Sequence, residues 1–275
     1  MVPRWCILAA SAGLAACALI PAVPAAAAPA RHGAARPPAR LLRPELPLSR
    51  PGDEPAAPAG QGPGPLIGVS PLGGASRNWS GYAVSGGTFT RVAASWTQPQ
   101  ASCSGGDQYA SFWVGLDGFG NSNTVEQAGT EADCSSGSPR YYAWYELYPA
   151  YPVNIASPVL PGDQLSASVT ANGGGSYTLV LTDTTRGWSH AATGTVARAA
   201  NASAEVIMEA PSTRKGVLAL TDFGTVTFSG ATVNGSPFGS FHPSEITMVG
   251  KSGRNKVIVS PLSGDRFSVA WQRRS

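Results

Sequence analysis

The chain has 275 residues and a formal net charge of +3. Residues 29–77 carry six Arg against three acids, whereas residues 78–275 carry twelve Lys or Arg against thirteen Asp or Glu. The larger part is therefore close to neutral, and a nucleic-acid partner, which needs a basic surface, is not predicted.

Residues 1–28 have the pattern of a secretory signal peptide. Arg4 precedes an apolar run over 6–20, and small residues over 25–28 supply a cleavage site. The run is too short for a comfortable membrane span, so we predict a secreted, extracellular protein without stable membrane insertion. An alternative is a lipid anchor, because the residues that end at Cys17 resemble a lipoprotein cleavage box.

Residues 29–77 contain eleven prolines and show no hydrophobic period. Such a stretch buries too little apolar surface to offset the entropy of ordering it, so it is either a pro-segment or a linker. As a pro-segment, its Arg side chains would pair with groove carboxylates until acid protonates them, and a cut near Asn78 would release the enzyme. A passive spacer is the alternative.

From residue 78 onward, short stretches rich in β-branched and aromatic residues alternate with Gly, Ser, Asn and Pro. This texture predicts one all-β domain over residues 78–275, an antiparallel β-sandwich or barrel, and we expect a monomer. The predicted strands cover residues 88–96, 109–116, 141–148, 164–171, 177–183, 204–209, 225–233, 245–249 and 267–271.

Side-chain alternation predicts which residues of three strands share a face. Each strand places carboxylates on one face, and two of them add Trp, which suits a substrate groove. A half-solvated sheet face is the alternative. The three predicted sets are Trp113 with Asp117, then Tyr142, Trp144, Glu146 and Tyr148, then Glu205, Ile207 and Glu209.

Two cysteines remain after the predicted signal peptide. In an exported protein, Cys103 and Cys134 are expected to form a disulfide, with two free buried thiols as the alternative.

Several common catalytic machineries leave no signature. The sequence has neither the H-E-x-x-H motif of zinc proteases nor a G-x-S-x-G nucleophile elbow. A Ser-His-Asp triad stays open, because its members need not be close in sequence. Carboxylates and amides are the remaining candidates.

Five segments resemble the glutamic peptidases (eqolisins) in order and approximate spacing, and the resemblance covers about residues 78–271. The segments are Asn78-Trp79-Ser80-Gly81-Tyr82, Trp113-Val114-Gly115-Leu116-Asp117-Gly118, Gln127-Ala128-Gly129, Ala143-Trp144-Tyr145-Glu146 with Tyr148-Pro149, and Ala204-Glu205-Val206-Ile207-Met208-Glu209.

The resemblance implies a lectin-like sandwich of two antiparallel sheets with a concave substrate groove. It also implies hydrolysis of protein or peptide substrates in acid, without a metal or other cofactor. By its motifs, Gln127 and Glu209 are the catalytic pair. The groove residues around them are Trp113, Asp117, Glu131, Tyr142, Trp144, Glu146 and Glu205, of which Glu205 is not catalytic.

Three positions depart from the family pattern. Glu131 and Tyr142 stand where the family usually has Asp, and Leu147 stands where it has Trp. These changes alter the charge and the subsites of the groove, so the resemblance does not carry over a pH optimum or a side-chain preference.

Peptide hydrolysis needs an activated water, a stabilised oxyanion and a proton for the leaving amine. Glu209 is expected to act as general base and then as acid, and Gln127 as oxyanion donor. Hydrogen bonds should lower the pKa of Glu209 and neighbouring acids should raise it. Two rival functions are a carbohydrate-binding lectin-like module and a glycoside hydrolase that uses Glu146 and Glu209.

Overall fold

The computed structural model describes residues 66–70, 73–120, 122–213 and 216–275. The predicted signal peptide, Cys17 and most of residues 29–77 lie outside the described residues. Within the described part, no helix is long and apolar enough to cross a membrane. The strands in this part are β1 (Leu66–Ser70), β2 (Gly73–Ser76), β3 (Trp79–Ser85), β4 (Arg91–Thr97), β5 (Ser111–Leu116), β6 (Val125–Ser135), β7 (Ser138–Tyr148), β8 (Val153–Ile155), β9 (Gln164–Gly173), β10 (Ser176–Asp183), β11 (Trp188–Thr195), β12 (Ser203–Glu209), β13 (Ser212–Thr213), β14 (Gly216–Val217), β15 (Thr225–Val233), β16 (Ser236–Pro237), β17 (Ser244–Met248), β18 (Val257–Val259) and β19 (Phe267–Trp271), with a 3-10 turn at Phe238–Phe241.

Two large sheets stack on each other. The nine-stranded sheet has the order β1-β2-β17-β3-β12-β5-β6-β7-β8, and the second sheet has the order β11-β10-β9-β4-β15-β19-β18, with β16 beside β15. Nearly all pairings are antiparallel, and β2 with β17 is parallel. The predicted all-β sandwich is therefore confirmed.

The main hydrophobic core lies between the two sheets. Phe112 and Val114 of β5 and Val206 and Met208 of β12 meet Leu179 of β10 there. The opposite face of β5 and β12 carries Trp113 and Ile207, which belong to a second, smaller cluster. The predicted alternation in these two strands is confirmed, and the smaller cluster marks the face on which the polar site residues lie.

The first two strands precede the predicted start of the domain at residue 78. β1 and β2 form a hairpin, and β2 adds to the nine-stranded sheet through its pairing with Ile246–Met248 of β17. The carbonyl of Ser76 accepts the backbone N–H of Val249 at 2.8 Å. The ordered sheet therefore begins before residue 77.

A disulfide joins Cys103 to Cys134, as predicted. Cys134 lies near the end of β6 and is fully buried, so the bond ties the loop before β5 to the middle of the nine-stranded sheet.

Peptide mapping of the non-reduced protein should find Cys103 linked to Cys134. Closing a loop of this size restricts the unfolded chain, so a double Cys→Ala variant should lose about 3–4 kcal/mol of unfolding free energy. Chemical denaturation measures that loss. Alkylation of both thiols without reduction would contradict the linkage.

Candidate active site

The register of four neighbouring strands, β12, β5, β6 and β7, aligns the predicted site residues in three rows on the face that carries the smaller cluster. We call them the acid row (Glu209, Ser111, Glu131, Tyr142), the tryptophan row (Ile207, Trp113, Gly129, Trp144) and the amide row (Glu205, Gly115, Gln127, Glu146). Directly opposed residues of a sheet project to the same side. The sheet thus brings Glu209 and Gln127 to one face, with the tryptophan row between them.

Glu209 ends β12 and is the half-buried member of that strand. Its Oε1 accepts a hydrogen bond from the side-chain amide of Asn78 at 3.0 Å, and its Oε2 accepts one from the indole N–H of Trp113 at 2.9 Å. Burial raises the pKa of Glu209 to about 7, and the hydrogen bonds from Asn78 and Trp113 lower it by less. The pKa of Glu209 is therefore raised by burial, and not by the neighbouring acids that were expected to raise it.

Trp113 owes its position to two glycines. A Cβ at Gly129 would lie 2.6 Å from the Cβ of Trp113, and one at Gly115 would lie 3.0 Å from its indole ring. One edge of the indole therefore lies over Gly115 in the amide row, and its N–H group reaches Glu209 in the acid row. Its ring packs edge-on against Trp79, with 4.9 Å between centroids. A fully buried aromatic ring thus fixes one oxygen of the carboxylate.

Gln127 lies in β6 and is 7% exposed. Its side-chain amide donates a short hydrogen bond to Glu146, which stands directly opposite on β7. Its side-chain carbonyl oxygen is buried and has no partner among the described residues. Glu146 therefore orients the side-chain amide of Gln127.

Glu131 and Tyr142, two of the three departures from the family pattern, face each other in the acid row. The hydroxyl of Tyr142 donates to Asp133 at 3.1 Å. Burial raises the pKa of Asp133 to about 7, and burial together with the charge of Asp133 raises that of Glu131 well above its usual value. These acids form a cluster that holds protons in mild acid, beside Glu209.

Two other predicted groove residues are fully buried. Asp117 has a positive φ of 63° and accepts the backbone N–H groups of Ala200, Asn201 and Ala202 at 2.8–2.9 Å, so it clamps the loop before β12. Neither side-chain oxygen of Glu205 has a hydrogen-bond partner among the described residues, and burial raises its pKa well above the usual value. The surroundings of Asp117 and Glu205 therefore suit a structural role, in which these residues support the loop before β12 and β12 itself.

The partly exposed predicted residues are Tyr142, Glu146 and Glu209, which leaves an open, aromatic–acidic surface above buried Trp113 and Trp144. A cleft of about 490 Å³ lies elsewhere, beside Tyr82 and Glu245, and contains none of the predicted site residues. Among the described residues, no group of three or more His, Cys, Asp or Glu is arranged to hold a metal ion.

Asn78 was absent from the predicted site, although it contacts Glu209 directly. It stands just before β3, and 131 positions separate it from Glu209 in the chain. In the sequence, Asn78 was noticeable only as the first residue of the Asn-Trp-Ser-Gly-Tyr segment. That position gave no indication that it contacts Glu209.

Proteins of similar sequence and fold identify the family of this chain. The sequence model of the Peptidase A4 family matches residues 77–271. Aspergillopepsin-2 of Aspergillus niger is 30% identical, over 71% of this chain and 78% of its own length. Scytalidopepsin B of Scytalidium lignicola is also 30% identical, over 60% of this chain and 59% of its own length. The crystal structure of scytalido-glutamic peptidase with a peptide-based transition-state analogue matches the fold with a TM-score of 0.62 and 24% identity, over 71% of this chain and 98% of that chain. The chain therefore belongs to the Peptidase A4 family and is a glutamic peptidase.

Proposed function

We propose that this protein is a secreted endopeptidase that works in mild acid and hydrolyses peptide bonds with water activated by Glu209, without a metal. The observation that carries the proposal is the set of hydrogen bonds to the Glu209 carboxylate. Two donors hold the oxygens of this half-buried carboxylate on an open aromatic face, and Gln127 shares that face. The family match favours peptide bonds over the sugar ligands of the two rival functions.

In the proposed mechanism, ionised Glu209 takes a proton from water as the water attacks the peptide carbonyl. Gln127 stabilises the developing oxyanion through its side-chain amide, and its carbonyl oxygen, which has no partner among the described residues, helps to hold the water. Glu209 then returns the proton to the leaving amine. An amide suits this task in acid, because its capacity to donate does not change with pH.

The working pH follows from two opposing effects. With the pKa of Glu209 at about 7, the ionised base becomes roughly tenfold scarcer for each pH unit below that value. The fold, however, contains buried acids that destabilise it as pH rises above the usual carboxylate pKa. Together these effects support an optimum on the acidic side of neutral pH.

We further propose that the substrates are extended protein or peptide chains. Scytalido-glutamic peptidase, which shares the fold, binds a peptide-based transition-state analogue. An open sheet face also suits an extended chain, because it leaves room on both sides of the scissile bond. The proline-rich segment over residues 29–77 remains a proposed pro-segment, with its Arg side chains directed to the carboxylates of the acid and amide rows. Arg77 is the exception, because its guanidinium donates to the carbonyl of Gly250 at 2.7 Å.

Digestion of a denatured protein at about pH 5 tests this function. The mature enzyme should cleave it in the presence of EDTA and of reagents that trap serine or cysteine nucleophiles. Inhibition by EDTA with rescue by zinc would contradict the proposal. Sugar binding and reducing-sugar release, measured in parallel, should be absent.

Gln127→Ala should lower kcat about 10²–10³-fold with little change in KM, because it removes an oxyanion donor that acts in the transition state. Glu146→Gln is the matched comparison, since it leaves Gln127 in place but weakens the group that orients it, and its loss should be smaller. Steady-state kinetics on one peptide gives both values. An unchanged kcat in Gln127→Ala would remove Gln127 from the mechanism.

A further inference from the structure

Asn78 is one of the residues that hold the carboxylate of Glu209. Its Nδ2 donates to Oε1 at 3.0 Å, and the indole of Trp113 donates to Oε2 at 2.9 Å. Trp113 lies on β5, which is on one side of β12. Asn78 is the residue just before β3, and β3 is on the other side of β12. The two donors therefore fix the direction of the carboxylate from both neighbouring strands.

Ser76 determines which way the amide of Asn78 points. The hydroxyl of Ser76 donates to Oδ1 of Asn78 at 3.2 Å and accepts the backbone N–H of Trp79 at 3.0 Å. With its oxygen engaged by Ser76, the amide presents its N–H₂ group to Glu209. The backbone carbonyl of Asn78 accepts the N–H of Ala210 at 2.8 Å, which ties it to the residue after Glu209.

Both residues are almost completely buried, at 0% exposure for Ser76 and 1% for Asn78. A buried amide that donates to a carboxylate in this way stabilises the ionised carboxylate over the neutral acid. The neighbouring strands place Trp79 and Ser111 beside Glu209, and the titratable group that faces it is Glu131 on β6, whose ionisation opposes that of Glu209.

We infer that Asn78 is a positioning residue for Glu209 and that Ser76 locks it in the productive orientation. The inference rests on the proposed role of Glu209 as general base. Asn78 keeps the carboxylate aimed at the open face and keeps it ionised to a lower pH than burial alone would allow. Ser76 acts one step further away, through Asn78.

Asn78→Ala should move the acid limb of the kcat/KM profile upward by about one pH unit, because it removes a donor to the ionised form. At about pH 5 this shift lowers kcat/KM roughly tenfold, and the difference from wild type shrinks as pH approaches the new limb. Ser76→Ala should change the profile in the same direction by a smaller amount. Rates are measured from about pH 3 to 9, so that both limbs are covered, after rapid dilution from one mildly acidic stock.

Asn78→Asp preserves the shape of the side chain and provides a second test if Asn78→Ala folds poorly. It places another carboxyl against Glu209, so the pair should bind a proton more tightly and the limb should move upward. Ser80→Ala is the matched control. It removes one buried hydrogen bond, from Ser80 to the carbonyl of Ile246, without touching Glu209, and should leave the pH profile unchanged.

The outcomes separate this inference from the proposed function. If Glu209→Gln keeps its activity, the proposed function fails. If Glu209→Gln is inactive but both Asn78 variants retain the wild-type pH profile, the positioning role alone is wrong. A loss of equal size at every pH, shared by Ser80→Ala, would also overturn it, because that is the result of general destabilisation.

Discussion

Glu209→Gln is expected to lower kcat by at least about a thousandfold while the protein remains folded. The amide has nearly the shape of the carboxylate but cannot accept a proton from water. It also leaves one of the two donors, Asn78 or Trp113, facing an N–H₂ group, at about 1–3 kcal/mol. Removal of a buried acid partly offsets that loss, so thermal unfolding in mild acid should change by only a few degrees.

Glu205→Gln is the matched variant for this experiment. Glu205 lies four residues earlier in β12 and projects to the same face, but it is fully buried and its raised pKa keeps it protonated in acid. A neutral amide imitates a protonated carboxyl, so this variant should keep kcat within several-fold. Inactive Glu205→Gln beside active Glu209→Gln would transfer the role of base to Glu205.

The folded protein should be most stable in acid and lose stability steeply between about pH 4.5 and 8. Burial raises the pKa of Glu126 from 4.5 to about 8, and raises those of Asp133 and Glu209 to about 7. Each acid binds its proton more tightly in the folded state, so stability is complete below the unfolded pKa and is lost as pH rises through the folded one. Glu126 alone would account for roughly 5 kcal/mol, against typical domain stabilities of about 5–15 kcal/mol.

Glu126 contributes to this effect because it faces the core, and burial also raises the pKa values of Glu131 and Glu205 well above their usual values. Glu126 stands opposite Leu116, is fully buried, and neither of its side-chain oxygens has a partner among the described residues. Burial lowers the pKa of Lys256 to about 8. Its contribution to stability therefore changes only above about that pH, and it does not affect the loss of stability expected between about pH 4.5 and 8.

Thermal unfolding at intervals from about pH 3 to 8 measures the profile. Glu126→Gln should flatten it and raise the melting temperature at neutral pH. Glu245→Gln is the control, since Glu245 is partly exposed and accepts hydrogen bonds from Tyr82 and Thr247. A wild-type melting temperature that stays constant across this pH range would contradict the prediction.

The sequence was informative where one face of a strand is apolar and the other is not. The alternation in β5 and β12 predicted both the core face and the face that carries Trp113 and Glu209. β6, which carries Gln127, was not predicted as a strand. Both of its faces are buried, and polar Gln127, Glu131 and Asp133 occupy one of them, so hydrophobic alternation is missing.

Long-range contacts explain what else could not be predicted. Asn78 has no recognisable role until the sheet places β3 beside β12, and the clamp formed by Asp117 depends on a backbone conformation with positive φ. The pKa of Glu209 depends on how deeply its neighbours bury it, which no spacing of residues reveals.

The position of Asn78 also limits where the N-terminus of a mature enzyme can lie. A cut directly before Asn78 would remove Ser76, whose hydroxyl donates to Oδ1 of Asn78 and so orients the amide that holds Glu209. A cut anywhere after Gly74 would also remove residues of β2 that pair with β17. A mature N-terminus that keeps β2 intact would therefore lie before Gly74, so the proposed pro-segment would end earlier than residue 77.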